Sequence, residues 1–165
     1  MIHIIRTTLF VIGIVCIASL IIGAQDIKGS KGWKIVTYCG MSFSVPGTLE
    51  DKKLQGMDSC VATLTDKRMI LTLDYGWFSG VSKHASFIEY DERVIAIDEK
   101  NGTIATYRDP RNKSGHTWVA RIFVVVQPSI KGSPEVAMNM FVEVKNKMEF
   151  PIAEQIFRSI KFNKK

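Results

Sequence analysis

The stretch Asp74-Tyr75-Gly76-Trp77-Phe78-Ser79-Gly80 gathers a carboxylate and three aromatic rings at the end of an apolar run. Rings present flat faces on which a sugar, a peptide or another ring stacks, and a carboxylate beside them accepts hydrogen bonds from hydroxyl or amide groups. Gly76 and Gly80 would permit a positive φ or a close backbone approach where the rings are displayed. Asp74, Tyr75, Trp77 and Phe78 are therefore the candidate ligand-binding residues. The plainer alternative has the rings capping the core at a sheet edge while Asp74 bonds loop amides. Ser79 falls one place too late for a G-x-S-x-G nucleophile elbow, and its surroundings read as strand to loop.

Hydrolytic chemistry can be assembled on paper, with Ser79 or Ser59 attacking, His84 or His116 as base and Asp58 or Asp74 orienting the base. A serine nucleophile needs a base within hydrogen-bond reach and a cradle for the oxyanion, and no spacing here forces either. A small secreted hydrolase using a His84 or His116 site is thus the second reading, behind a non-catalytic binding or assembly module. No metal or cofactor is expected. Asp58, Asp66, Asp91, Asp98 and Asp109 are scattered without the spacing of a calcium loop, and the intervals among Cys39, Cys60, His84 and His116 match no common zinc pattern.

Residues 1–24 differ from all that follows, with Arg6 as their single formally charged side chain and an almost wholly apolar run over 9–22. A basic start, a short apolar stretch and the small residues Gly23-Ala24 read as a signal peptide cut ahead of Gln25. The alternative is an uncleaved anchor, because residues 7–24 approach the ~20 that span a bilayer as a helix. Either way the remaining chain is expected outside the cytoplasm, in the periplasm or the extracellular space. There Cys39 and Cys60 can close a bridge worth roughly 3 kcal/mol in the chain-entropy account; otherwise they are two small buried thiols on neighbouring strands.

The chain carries 22 Lys and Arg against 16 Asp and Glu. Positive residues gather at Arg108, Arg111, Lys113 and Arg121, and again at Lys161, Lys164 and Lys165, so weak association with an anionic membrane surface is physically open. No basic run is interleaved with aromatics as a nucleic-acid groove requires, so nucleic acid is not an expected partner. The partner expected is an extracytoplasmic protein, an envelope polymer or a small ligand.

These groups must be positioned by strands. Residues 25–32 form a polar, glycine-rich tether, and residues 33–165 of the 165-residue chain are read as one domain. Runs of β-branched and aromatic residues fill 33–38 and 41–45, ended by Pro46-Gly47, and residues 49–57 are irregular with room for a helical turn. Two further runs, 59–64 and 69–75, flank a connection of hairpin length. In the second, Met69, Leu71, Leu73 and Tyr75 share one face while Ile70, Thr72 and Asp74 share the other. Residues 94–98 and 103–107 flank Asn101-Gly102, which predicts a tight hairpin turning at that dipeptide.

Residues 117–126 are apolar on both faces, the mark of a central strand covered on both sides, and 136–144 alternate cleanly. The period then changes: Pro151 suits a first helical position, and Ile152, Ala153, Ile156, Phe157 and Ile160 recur at helical spacing. The predicted class is α+β, a largely antiparallel sheet with a C-terminal amphipathic helix packed on it.

The opening Tyr38-Cys39-Gly40-Met41-Ser42-Phe43-Ser44-Val45-Pro46, the antiparallel meander and the closing Ala153-Glu154-Gln155-Ile156-Phe157-Arg158-Ser159-Ile160-Lys161-Phe162 resemble PsbP-like domains. These include extrinsic photosynthetic proteins and small exported bacterial proteins. The resemblance implies an antiparallel sheet flanked by helices, used for binding or assembly and not for catalysis. It supplies no site residues. The leader lacks the Ser- and Arg-rich character of a plastid transit peptide, which argues against a photosystem role.

Overall fold

The computed structural model describes residues 32–53, 56, 58–77, 79 and 87–163. The leader over 1–24 and the tether as far as residue 31 lie outside the described residues. Alternating apolar residues make strands almost throughout, and every pairing is antiparallel. The strands are β1 (Trp33–Tyr38), β2 (Met41–Pro46), β3 (Glu50–Asp51), β4 (Cys60–Thr65), β5 (Met69–Gly76), β6 (Ile88–Ile97), β7 (Lys100–Arg108), β8 (Trp118–Gln127), β9 (Val136–Val144) and β10 (Lys161–Phe162). Among the described residues one α-helix, α1 (Phe150–Arg158), precedes the last of them.

A small sheet has the order β1-β2-β10 and a large one the order β3-β4-β5-β9-β8-β7-β6. The α+β class with a C-terminal helix on an antiparallel sheet is therefore the observed architecture. One face of the large sheet, carrying Leu71 and Leu73, Met138 and Met140, Ile122 and Val124, packs against Met41, Phe43 and Val45 of β2 and Ala153, Ile156 and Phe157 of α1. All of these are buried, so a single core joins both sheets and the helix. α1 meets that core because its apolar residues recur at three- and four-residue intervals, and Pro151 occupies the first turn, where no intrahelical N–H bond is lost.

Cys39 and Cys60 are bridged, with sulfurs 2.07 Å and α-carbons 5.7 Å apart. Cys39 (φ 54°) and Gly40 (φ 74°) form the two-residue turn between β1 and β2, so the bridge ties the small sheet's hairpin to β4 of the large one. A disulfide of this kind fits an extracellular or periplasmic protein. Among the described residues no helix is long and apolar enough to cross a membrane.

Three expectations are corrected. The hairpin of β6 and β7 exists, but it turns at Asp98 (φ 45°) and Glu99 (φ 68°), not at Asn101-Gly102. Gly102 is instead a buried strand residue: a β-carbon there would lie 3.1 Å from Val124 Cγ2 and 3.3 Å from Ile122 Cδ1. Its lack of a side chain is thus used for packing. The described part of 49–57 contains the short strand β3 and no helical turn. Arg121 does not belong to an exposed basic cluster, because it is only 2% exposed on the second face of the large sheet, between Ala105 and Phe141 of the neighbouring strands.

Candidate functional site

Strand alternation separates two of the candidate residues. Tyr75 lies opposite Cys60 and Met138 and packs half-buried against the main core. Asp74 projects from the other face, directly opposite Val61 and Asn139. Its Oδ1 is buried with no hydrogen-bond partner. Trp77 follows the end of β5 and is 62% exposed. Ser79 is 4% exposed and its Oγ also lacks a partner. Phe78 lies outside the described residues.

Gly76 allows β5 to end where it does. A β-carbon at Gly76 would sit 3.0 Å from the Ser59 side chain, so the chain leaving β5 runs close to the chain entering β4. That proximity places Asp58, Ser59, Asp74, Trp77 and the disulfide at one end of the large sheet.

The second face of the sheet carries more polar burial than the sequence reading anticipated. Asn139 is 3% exposed beside Asp74, and Arg121 sits one row further along the next strand. Carboxylate, amide and guanidinium side chains on β5, β9 and β8 thus share one face of the sheet. Asn139 and Arg121 were missed. The signal for Arg121 was present, since a lone arginine interrupts the apolar alternation of β8 where a core position is due.

Further along this face Ala105, Tyr107 and Val119 form a second small cluster with Phe87, Tyr90 and Phe141 against it. Tyr107 stacks on Phe87 with centroids 4.0 Å apart and lies 5.9 Å from Tyr90. Burial pushes the Tyr107 phenol up to about 12, although the Arg121 charge acts in the opposite sense. Tyr107 is therefore a neutral hydrogen-bonding group at any physiological pH.

The histidine that the structure describes stands elsewhere. His116 is buried two residues before β8, and its Nδ1 lies 3.2 Å from the Ser114 carbonyl. Around it Asn112 Nδ2 donates to Glu143 at 2.7 Å and to the His116 carbonyl at 3.1 Å, so this loop is pinned to β9. Trp118 shares a row with Val144 and Met69. Asp74 is five residues along β5 from that row, and at about 3.3 Å per residue the separation exceeds ~15 Å. His116 therefore cannot serve as base for Ser59 or Ser79, nor be oriented by Asp58 or Asp74. His84, the other histidine considered for that role, lies outside the described residues. Among the described residues, no group of three His, Cys, Asp or Glu side chains could hold a metal ion.

The exposed Trp77 thus falls in sequence between Asp74 and Ser79, whose Oδ1 and Oγ are buried without partners, and Asn139 stands opposite Asp74 on β9. No protein-family model matches the chain, and no curated protein matches it.

Proposed function

We propose that the protein is an exported binding module that holds a small polar ligand or an extended partner segment at the Trp77 end of its large sheet. The PsbP-like resemblance of the segments around Tyr38 and Phe162 points the same way, toward binding or assembly. The single observation that carries the reading is the pair of buried oxygens without partners, Asp74 Oδ1 and Ser79 Oγ, on either side in sequence of the exposed Trp77. A buried acceptor left without a donor costs about 1–3 kcal/mol, so two close in sequence ask for a group that supplies hydrogen bonds. A hydroxyl- or amide-bearing ligand that stacks on the indole meets both needs.

The test is capture from the native extracytoplasmic compartment, with the exported form as bait, followed by glycan and peptide arrays. Trp77→Ala is expected to weaken binding by tenfold or more while leaving the melting temperature unchanged. Asp74→Ala removes the buried acceptor that has no donor within the protein, so it should weaken binding without weakening the fold. Normal binding by both variants would sink the reading, as would turnover of an ester, peptide or glycoside abolished by a single histidine substitution.

A further inference from the structure

The end of the large sheet opposite Trp77 has a different chemistry. The row Met69, Val144, Trp118, Arg108 closes that end, with Ile88 beyond Arg108. Trp118 is half-buried, and two cations flank its ring, Arg108 at 5.8 Å and Lys147 at 5.2 Å, while Phe150 meets it edge-on. Next to this group Met148 is 77% exposed and Ile88 43% exposed. Lys67, Lys113 and Lys145 are exposed at the same end and make no ion pair among the described residues, whereas Lys147 is held by Glu89 and Arg111 by Asp109.

The path of the chain bears on what this end faces. The Gly32 carbonyl accepts the Gly47 N–H at 2.7 Å, and Thr48 Oγ1 donates to Asp66 at 2.6 Å in the turn just before Met69. Gly32 is therefore at the Trp118 end of the sheet and not at the Trp77 end. The uncharged stretch of residues 7–24 precedes it by residues 25–31, which even fully extended reach no more than about 25 Å. A leader held in a bilayer would keep this end within about 25 Å of the lipid.

We propose that the Trp118 end is a docking surface for an anionic bilayer. Lysines and Arg108 supply attraction to lipid phosphates, and Met148 and Ile88 supply apolar side chains that dip below the headgroups. Trp118, apolar in body and flanked by cations, has the character of an interfacial residue. A soluble polyanion would use the charges but gain nothing from exposed Met148 and Ile88, which is why lipid is the occupant favoured here. The surface lies at the far end from Asp74 and Trp77, so bilayer docking leaves the proposed ligand end pointing away from the membrane.

The test is flotation of the chain from Gln25 onward, which contains every described strand, the helix and their shared core. Vesicles of phosphatidylcholine alone are compared with vesicles that also contain phosphatidylglycerol. Partition is expected into the anionic vesicles only, falling as salt is raised. The double variant Lys113→Gln/Lys145→Gln is expected to lower that partition about 30-fold, the effect of two cationic contacts. Met148→Asp should lower it further, whereas Lys131→Gln, exposed at the opposite end, should leave it unchanged. These side chains are exposed, so urea midpoints measured in parallel should coincide. Equal partition into neutral vesicles, loss of partition with Lys131→Gln, or retention on soluble dextran sulfate with no flotation would each overturn the proposal. None of these readouts depends on a ligand at Trp77.

Discussion

Asp98 Oδ2 accepts the backbone N–H of Phe162 at 2.7 Å, joining the tip of the β6–β7 hairpin to the last strand of the fold. The same carboxylate holds Lys161 Nζ at 3.3 Å. Asp98 thus serves two purposes, since it also occupies one of the two left-handed positions of the turn, which aspartate tolerates better than most residues. Asp98→Ala should cost about 1–3 kcal/mol through the lost charge-assisted bond. Asp98→Asn, which keeps an acceptor and the backbone preference, should cost less. Urea unfolding of the two variants checks the order, and equal losses would remove the hydrogen bond from the explanation.

The turn also separates two glycine effects. Glu99 stands at φ 68°, a conformation that costs a non-glycine residue roughly 1–2 kcal/mol, so Glu99→Gly should leave stability unchanged or raise it. Gly102→Ala places a methyl 3.1 Å from Val124 Cγ2, and overpacking of this kind costs about 1–3 kcal/mol. Thermal melts should show Gly102→Ala lowered and Glu99→Gly level or raised. A destabilised Glu99→Gly beside a neutral Gly102→Ala would mean that the turn lies at the Asn-Gly dipeptide after all.

Opening the Cys39–Cys60 bridge frees the link between the small sheet and β4. The cost is about 3 kcal/mol in the chain-entropy account. The Cys39→Ala/Cys60→Ala variant should therefore unfold at clearly lower urea than the oxidised protein, and reductant should shift the oxidised protein but not the variant. An unchanged midpoint would show that the core alone holds the two sheets together.

Acid should weaken the fold through three carboxylates. At Asp66 burial acts to raise the pKa, but hydrogen bonds from Thr48 and from the Arg68 and Met69 amides outweigh it and hold the group below the ordinary range. Glu154 behaves likewise, burial being overcome by Arg158 and Arg93, at 2.7 and 2.6 Å. Asp51 is lowered by the Lys53 amide and by the Tyr38 hydroxyl. Groups whose folded pKa is depressed stabilise fully above their unfolded pKa, near 4, and lose that contribution as pH falls through the folded value. Urea midpoints should be flat from neutral pH down to about 5 and fall below about 4. Asp66→Asn should flatten the acid limb, and an unaltered limb would place the titration elsewhere.

Much of this fold was legible in the sequence because strand period is a local property. Met69, Leu71 and Leu73 read as one face and lie in the core, while the opposite projection of Asp74 and Tyr75 follows from the same count. The helix was legible because Ile152, Ala153, Ile156 and Phe157 cannot share a face at any strand spacing. The hairpin turn was misplaced because Asn-Gly is the stronger local signal. What decided against it were long-range contacts, the packing of Val124 and Ile122 on Gly102 and the tie from Asp98 to Phe162. The site was legible only in part. Trp77 and Asp74 stand out by type, but the burial of Asn139 and Arg121 depends on which strands are neighbours, and pattern alone does not give that order.

β9 is the last strand of the large sheet to leave the ribosome, yet it lies in the middle, between β5 and β8. Until residues 136–144 arrive, β3 to β5 and β6 to β8 are two separate ribbons, each ending in an open row of amides and carbonyls. The chain thus has no finished large sheet before nearly all of it has been made. The same late keystone leaves any truncation ahead of Val136 with two adhesive edges, so shortened products should clump instead of folding as smaller units.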